Sequence, residues 1–264
     1  MLDWLTALLI GFIQGVLEWL PVSSSGQTTL IMVDILSIHP EYAITFGLAV
    51  HIGTAAAVMA RYPKQLVQVA DPRSFTGQKK FYWLTTLISL ACALPILVLL
   101  EATFDSQVWT GVTITLFIGL ALIATGIFLG RQPKSTFRQV SEGSIIDYLL
   151  VGLAQAFAVL PGVSRSGMTV TALLTRKFRE SEALVFSFLL SVPVSIASFL
   201  YFTLFGEFTM VDIQLLAVAA LSAFVFGFIS MSVLVKIAQN ARFSGFCMFF
   251  GCLAVFIALF LWVY

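Results

Sequence analysis

The sequence predicts an all-α integral membrane protein with six transmembrane helices and two re-entrant helical hairpins, arranged as an inverted-topology repeat. Three observations predict this class: the composition, the number of long apolar runs, and an internal duplication centred on broken helices. Of the 264 residues, 59% are hydrophobic and only 10% are charged, which is too apolar for a soluble globular domain. The formal net charge of +1 gives no reason to expect a nucleic-acid partner.

Six apolar runs are long enough to cross a bilayer, which takes about 20 helical residues. They cover residues 42–60, 81–100, 108–130, 183–205, 213–235 and 243–264. Their number predicts a multi-pass protein whose outer surface contacts membrane lipids.

Two further regions have the composition of helices that enter the membrane and turn back. One pairs residues 2–20 with 27–38, and the other pairs 145–160 with 166–175. Second arms of about 10 to 12 residues, at 1.5 Å per residue, are too short for a hydrocarbon core about 30 Å thick. We therefore expect re-entrant hairpins, and a pair of ordinary spans kinked at proline is the alternative.

The two hairpin regions are related by a gap-free offset of 141 residues. The offset aligns Gly11 with Gly152, Gln14 with Gln155, Val22 with Val163, Ser23 with Ser164, Ser25 with Ser166, Gly26 with Gly167 and Thr28 with Thr169. We assign repeat one to residues 1–130 and repeat two to residues 145–264, within a single membrane domain covering 1–264. Three crossings follow each hairpin. Because this number is odd, the second repeat is expected to be inverted relative to the first.

The distribution of basic residues predicts the orientation in the membrane. Thirteen of the 14 Lys and Arg residues fall in the loop regions 61–80, 131–138, 176–179 and 236–242, whereas the loops on the opposite side contain acids and no Lys or Arg. The positive-inside rule places the basic loops in the cytoplasm and both termini outside. The fourteenth cation, Arg165, lies inside the second hairpin.

Glu18 and Arg165 are the two charges placed well inside the apolar hairpins. A charged side chain in the bilayer costs about 2.5 to 3.5 kcal/mol on insertion scales and commonly marks a pathway, an ion pair or a functional site. Both charges lie at serine- and glycine-rich helix breaks, which favours a functional site. A structural ion pair between them is the alternative.

The breaks have the residue types of an oxyanion pocket, with serine hydroxyls and glycines at the start of a half-helix. The members are Ser23, Ser24, Ser25 and Gly26 in the first hairpin and Ser164, Ser166 and Gly167 in the second. We expect the first half-helix to begin near Gly26, so that backbone N–H groups and hydroxyls converge there. Arg165 adds a planar set of donors suited to phosphate. A pocket among lipid-facing helices predicts a substrate with a phosphate head and a lipid tail.

Three stretches also carry a family resemblance: E-W-L-P-V-S-S-S-G at 18–26, P-G-V-S-R-S-G at 161–167 and V-H-I-G-T at 50–54. They resemble the signature of the undecaprenyl-diphosphate phosphatases of the bacitracin-resistance type, and the resemblance covers essentially the whole chain. It implies removal of the terminal phosphate from a polyprenyl diphosphate, which gives inorganic phosphate and the lipid carrier of envelope glycan synthesis. It also implies a plasma-membrane location.

Carried over by position, the resemblance implies that Glu18 is the essential acid, Ser24 the nucleophilic or phosphate-binding serine and Arg165 the diphosphate-binding arginine. Further substrate-binding candidates are Gln14, Ser23, Ser25, Gly26, Gln27, His51, Gly162, Ser164, Ser166 and Gly167. The expected mechanism is in-line displacement at the terminal phosphorus, either through a phosphoserine or by direct attack of water.

The chain departs from bacterial members of that family at three positions. Gln14 stands where a second Glu is common, Gln27 where a His is common, and Gly47 where an acid is common. Glu18 is then the only candidate ligand for a divalent cation, and one carboxylate supplies few of the oxygen ligands that Mg²⁺ or Ca²⁺ requires. The metal requirement stays open. His51 is either a replacement proton shuttle or a packed histidine bonded to a helix carbonyl.

A second class of function also stays open, namely a carrier that flips polyprenyl monophosphate across the membrane through the same anion site. Inverted repeats with broken helices near the midplane are the architecture that such carriers use. The sequence leaves the prenyl chain length open, and it is equally compatible with a homodimer.

Overall fold

The computed structural model describes residues 2–20, 23–71, 73, 75, 77–102, 111–131, 137–160, 162–205, 212–238 and 243–263. Within these ranges the ordered elements are helices, and the only β contact is an isolated bridge between Arg138 and Phe178. The helices in chain order are α1 (Trp4–Leu17), α2 (Ser24–Leu30), α3 (Pro40–Arg61), α4 (Pro63–Ala70), α5 (Gly77–Glu101), α6 (Gly111–Gly130), α7 (Ile145–Ala156), α8 (Arg165–Thr175), α9 (Glu180–Phe205), α10 (Ile213–Ala238) and α11 (Phe243–Val263). A π-helical turn (Ile31–Ile35) follows α2, and 3₁₀ turns cover Val140–Glu142 and Phe157–Val159.

Four of the described helices are long and apolar enough to cross a membrane, so the chain is a multi-pass integral membrane protein. They are α3, α5 over Gly77–Leu100, α9 over Glu180–Leu204 and α10 over Ile213–Met231. The other two predicted spans coincide with α6 and α11, whose described apolar stretches are the shorter Thr115–Phe128 and Met248–Phe260. Residues 108–110 lie outside the described residues. Six crossings therefore stay a prediction.

Each predicted hairpin region consists of a helix, a break and a shorter helix. In the first, α1 ends at Leu17 and α2 begins at Ser24, while in the second the 3₁₀ turn after α7 ends at Val159 and α8 begins at Arg165. α8 has 11 residues, so it is about 16 Å long, roughly half of a 30 Å hydrocarbon core. Ser24 and Arg165 are the first residues of the two short helices. The 141-residue offset aligns them with each other.

The second break requires a glycine. Gly162 has a φ of +88°, and a Cβ at this position would lie 2.5 Å from the Cα of Ile118 in α6. Both the backbone angle and the lack of space therefore exclude a side chain. The prolines at the predicted breaks, Pro21 and Pro161, lie outside the described residues.

Small residues allow several of the helices to approach closely. α1 packs on α10, where a Cβ on Gly11 would lie 2.1 Å from the carbonyl oxygen of Ala219. α3 packs on the same helix through Gly53, whose Cβ would lie 2.1 Å from the carbonyl oxygen of Ala220. α5 packs against α7, α6 against α11, and α3 against α9. Close contact through small residues is typical of helix association in bilayers.

Three of the basic loops meet at one end of the molecule. Arg138 donates to the carbonyl oxygen of Arg176 at 3.1 Å, and both guanidinium groups bind the fully buried carboxylate of Asp147, at 2.8 and 2.5 Å. Gly77 lies beside Ser141, which brings the loop before α5 to the same end. The three loops therefore share one side, and the identity of that side stays a prediction from the positive-inside rule.

Candidate active site

Glu18 is the centre of the site. It lies in the turn after α1 and is 5% exposed. Its Oε1 accepts a hydrogen bond from Arg165 Nη2 at 2.5 Å, and its Oε2 accepts from Ser24 Oγ at 2.6 Å and from Gln14 Nε2 at 2.8 Å. His51 Nε2 lies 3.3 Å from the same Oε2. Side chains from α1, α2, α3 and α8 therefore surround one carboxylate.

Local helix geometry accounts for these contacts. Gln14 precedes Glu18 by four residues, and the N–H of Glu18 still bonds to the carbonyl oxygen of Gln14 at 3.0 Å, so the two side chains share one face. Ser24 and Arg165 are the first residues of α2 and α8. The reactive groups of the two hairpins thus occupy equivalent positions in their half-helices.

Arg165 is held on both of its terminal nitrogens. Nη1 donates to the carbonyl oxygen of Ser187 in α9 at 2.9 Å, while Nη2 binds Glu18. The side chain of Ser187 also bonds to Thr169 Oγ1 at 2.5 Å, which ties α8 to α9 beside the arginine. Sequence analysis missed Ser187, because a residue that contributes a backbone carbonyl leaves no signal in its side chain.

Ser23 and Ser164 are helix caps. Ser23 Oγ accepts from the N–H of Gly26 at 3.2 Å, and Ser164 Oγ accepts from the N–H of Gly167 at 3.1 Å. The half-helix starts at Ser24, earlier than expected, because Ser23 adopts a left-handed backbone with φ of 55° and bonds across the first turn. The expectation of convergent free N–H groups therefore fails at both glycines, whose N–H groups are bound by the caps.

The two remaining serines each contact the cap serine of their own hairpin, and Ser166 also joins the two breaks. Ser166 Oγ donates to the carbonyl oxygen of Leu20 at 3.0 Å, which connects α8 to the turn after α1. Ser166 Oγ also lies 3.3 Å from Ser164 Oγ, and Ser25 Oγ lies 3.4 Å from Ser23 Oγ. The same side-chain arrangement is thus present in both hairpins.

These groups line a small pocket where the two helix breaks meet. Its walls are formed by Glu18, Leu20, Ser23, Ser24, Ser25, Leu48, His51, Ala158, Val163, Ser164, Arg165 and Ser166. The lining combines these polar and charged groups with the apolar side chains of Leu20, Leu48, Ala158 and Val163. This combination suits a ligand with an anionic head and an apolar tail.

The other predicted site residues surround this pocket rather than line it. Gln14 is fully buried and reaches the pocket through Glu18. Gly26 lies against Gly162, where a Cβ on the former would be 3.1 Å from the Cα of the latter, so the two breaks touch. Gly167 supplies the capped N–H, and Gln27 lies half-buried in α2 outside the pocket lining.

His51 contacts both a helix carbonyl oxygen and the carboxylate of Glu18. Its Nδ1 lies 2.8 Å from the carbonyl oxygen of Gly47, one turn earlier in α3. Its Nε2 faces Glu18, and its side chain is 16% exposed. It is therefore both bonded to a helix carbonyl and part of the pocket wall.

The donor set does not fit a divalent cation held by the protein. Glu18 is the one carboxylate that lines the pocket, and its two oxygens are already shared among an arginine, a serine, a glutamine and a histidine. Among the residues that the structure describes, no three His, Cys, Asp or Glu side chains group together as metal ligands do. Mg²⁺ and Ca²⁺ prefer several oxygen ligands, so no step of the chemistry is assigned to a metal.

The Glu18–Arg165 ion pair that was the alternative to a functional site does exist, at 2.5 Å. Its surroundings, however, exceed what a structural pair requires. A hydroxyl, an amide and an imidazole converge on the same carboxylate, and the pair forms part of a pocket wall. Such convergent polar groups in an otherwise apolar protein are the usual mark of a ligand site.

Comparison with known proteins identifies the family. The sequence matches the family described as Bacitracin resistance protein BacA over residues 7–256. It is 37% identical over 250 residues to a protein named undecaprenyl-diphosphatase from Methanothrix thermoacetophila, covering 95% of each chain. A protein of the same name from Methanopyrus kandleri is 34% identical and covers 96% of each chain. Another, from Pelotomaculum thermopropionicum, is also 34% identical, over 91% of this chain and 90% of the relative. The chain therefore belongs to the BacA family.

Proposed function

We propose that this protein hydrolyses the terminal phosphate of an undecaprenyl-type polyprenyl diphosphate, which releases inorganic phosphate and leaves polyprenyl phosphate in the membrane for reuse as a glycan carrier. The observation that carries this proposal is the contact set of Arg165, Glu18 and Ser24 where the two helix breaks meet. The name undecaprenyl-diphosphatase, shared by the relatives that cover nearly the whole chain, supports the same activity.

Arg165 supplies the positive charge that binds the diphosphate. A guanidinium group carries two hydrogens on each terminal nitrogen, and each of these nitrogens makes one bond among the described residues, to Ser187 and to Glu18. The second hydrogen on each nitrogen is therefore free to donate to phosphate oxygens. This fork of donors is also placed to stabilise charge that develops in the transition state.

Ser24 is the proposed nucleophile. Its hydroxyl donates to Glu18 Oε2 at 2.6 Å, and Ser24 lines the pocket. Attack forms a bond from Ser24 Oγ to the terminal phosphorus and breaks the bond from phosphorus to the bridging oxygen, while Glu18 accepts the hydroxyl proton. Water then hydrolyses the phosphoserine. Direct attack by a water bound to Ser24 is the competing route.

The apolar residues of the pocket lining and the exposed apolar residues of the outer helix surfaces accommodate the prenyl chain. Leu20, Leu48 and Val163 line the pocket next to the charged groups. Outside it, Leu153 and Phe157 on the second hairpin are 41% and 49% exposed. A lipid tail can thus remain in the bilayer while its head reaches Arg165, which favours a membrane lipid over a soluble phosphate ester.

The membrane arrangement belongs to the proposal. It consists of six spans in two inverted repeats, 1–130 and 145–264, in the plasma membrane with both termini outside and the basic loops in the cytoplasm. The packing supports this pattern, because exchanging the repeats converts the α1–α10 contact into α7–α5 and maps the α3–α9 and α6–α11 contacts onto themselves. The meeting of three basic loops at one end supports the orientation.

The names of the relatives favour hydrolysis over the carrier function. The Ser24–Glu18 contact points the same way, because passive transport of an anion does not require a hydroxyl bonded to a carboxylate.

The test is phosphate release from a long-chain polyprenyl diphosphate by the purified full chain in detergent. Glu18→Gln should lower kcat by about 10² to 10⁴-fold, the range expected for loss of an acid–base group, and Ser24→Ala should lose activity as well. Glu180→Gln and Ser141→Ala are matched controls at exposed positions outside the pocket, and both should behave like wild type.

Two results would contradict the proposal. Full activity in Glu18→Gln would remove the role given to the acid. A wild-type protein that binds polyprenyl phosphate but releases no phosphate from the diphosphate would support the carrier instead.

A further inference from the structure

We propose that His51, rather than a divalent cation held by the protein, completes this site by taking up the proton that leaves the attacking hydroxyl. The inference rests on the proposed hydrolysis and adds a proton-accepting residue to it. It follows from the orientation of the imidazole, from the contacts of Glu18, and from the donor set of the pocket.

The bond to Gly47 fixes the orientation of the ring and its proton. A carbonyl oxygen only accepts, so the 2.8 Å contact requires a hydrogen on His51 Nδ1. When the ring is neutral, Nε2 therefore carries the free lone pair. That nitrogen faces Glu18 Oε2 at 3.3 Å and forms part of the pocket wall. The structure thus presents a base, already oriented, to the acid of the site.

Glu18 is well placed to pass a proton on and poorly placed to keep it. Its Oε1 is bound to the guanidinium of Arg165, and neutralising the carboxylate would leave that cation buried without its partner. Its Oε2 is the shared neighbour of Ser24 Oγ, at 2.6 Å, and of His51 Nε2, at 3.3 Å. The proton therefore moves from the hydroxyl through Glu18 Oε2 to the imidazole, and the carboxylate returns to its charged form.

Both halves of the reaction balance along this route. In the first half, the O–H bond of Ser24 breaks, Oγ bonds to phosphorus, polyprenyl phosphate leaves and the proton rests on His51 as an imidazolium paired with Glu18. In the second half, the oxygen of water bonds to phosphorus and the bond from phosphorus to Oγ breaks. Ser24 recovers its proton from His51 through Glu18, and the phosphate leaves carrying both hydrogens of the water.

The same residues account for the charge that a metal would otherwise neutralise. Arg165 is the cation of the pocket lining, and Glu18 is its one carboxylate, whose two oxygens already accept three hydrogen bonds from protein donors. An imidazolium formed at His51 adds a second positive charge while the phosphoryl group is being transferred. The site therefore has its own cations and a proton acceptor, but no oxygen cage for Mg²⁺ or Ca²⁺.

Two substitutions at His51 separate a structural role from the proposed one. In His51→Asn the amide nitrogen occupies the place of Nδ1, so the bond to Gly47 can persist, whereas Nε2 is lost. In His51→Gln the amide reaches toward Glu18 but cannot accept a proton. Both variants should lower kcat for polyprenyl diphosphate by about 100-fold or more, with KM within about threefold of wild type. His39→Gln is the matched control, because His39 is the other histidine of the chain and is exposed.

The second measurement compares wild-type phosphate release in excess EDTA with release in Mg²⁺ or Ca²⁺. The proposal predicts equal rates within about twofold. Wild-type kcat in His51→Asn, or activity that disappears in EDTA and returns with either cation, would overturn it. A variant that fails to elute as a folded species would be replaced by His51→Ala with added imidazole, where recovery of activity supports the proposal and no recovery contradicts it. Absence of phosphate release from wild type under every condition would instead refute the proposed function.

Discussion

The two hairpins share one pattern of hydrogen bonds at the start of their short helices. Ser23 and Ser164 cap their short helices through the N–H three residues later. Thr28 and Thr169 each donate back to carbonyl oxygens in the first turn of the same helix. The helix starts coincide under the 141-residue offset. Several of the duplicated residues thus cap or begin the two short helices.

The polar and charged side chains, by contrast, differ between the two hairpins. The first residue of the short helix is Ser24 in one copy and Arg165 in the other. Glu18 aligns with Val159, so the second hairpin contributes no acid to the pocket. The comparison shows one hydrogen-bond geometry in both copies and different side chains within it. Under the proposed function this divides the work: one hairpin provides the acid and the hydroxyl, and the other provides the cation.

The largest expected effect is loss of that cation. Arg165→Ala should lower kcat/KM for polyprenyl diphosphate by about 10³-fold, because it removes the donors to the phosphate and to the transition state. Arg165→Lys should recover part of the loss, since a point charge lacks the planar fork. Steady-state phosphate release is the measurement. Arg179→Ala, on a side chain that is 52% exposed, should match wild type, and equal loss in both alanine variants would argue against a specific role.

The double variant Glu18→Gln with Arg165→Gln tests whether the pair serves structure or chemistry. Removing one partner leaves a buried charge uncompensated and should destabilise the protein by about 3 to 5 kcal/mol, whereas removing both should cost much less. We therefore expect the thermal unfolding temperature of the double variant to lie closer to that of wild type than those of the single variants, with phosphate release lowered by about 100-fold or more in all three. An active double variant would show that the pair is only structural.

A smaller effect should separate the two threonines. Thr169 also bonds to Ser187 Oγ, and Ser187 holds Arg165 through its carbonyl oxygen. Thr28 has bonds only within its own helix among the described contacts. Thr169→Val should lower kcat/KM by about tenfold, in line with loss of one hydrogen bond, while Thr28→Val should stay within about threefold. Equal kinetics in the two variants would remove the proposed support of Arg165 by α9.

The smallest effect concerns the caps. Ser23→Ala and Ser164→Ala should each destabilise the protein by about 1 kcal/mol in thermal unfolding. Glycine should restore more stability at position 23 than at position 164, because Ser23 has a φ of 55° and Ser164 a φ of −71°. Identical responses to glycine at the two positions would contradict the left-handed start of the first half-helix.

The sequence predicted the positions of the two helix breaks, because short apolar arms and a gap-free internal offset are visible in the residues themselves. It also singled out Glu18 and Arg165, because charge inside apolar runs is costly. It placed the start of α2 near Gly26 rather than at Ser24, because the left-handed backbone of Ser23 cannot be read from the residue types. It gave no sign that the carbonyl oxygen of Ser187 accepts from Arg165, because every residue type has a backbone carbonyl.

The most direct measurement of the central claim is a single turnover with a polyprenyl diphosphate that carries a radiolabel on its terminal phosphate. Wild type should transfer the label transiently to Ser24 and then release it as inorganic phosphate, while Ser24→Ala should do neither. Release of labelled phosphate by Ser24→Ala at the wild-type rate would contradict the division of work between the hairpins, because the hydroxyl of the first hairpin would then have no part in the reaction.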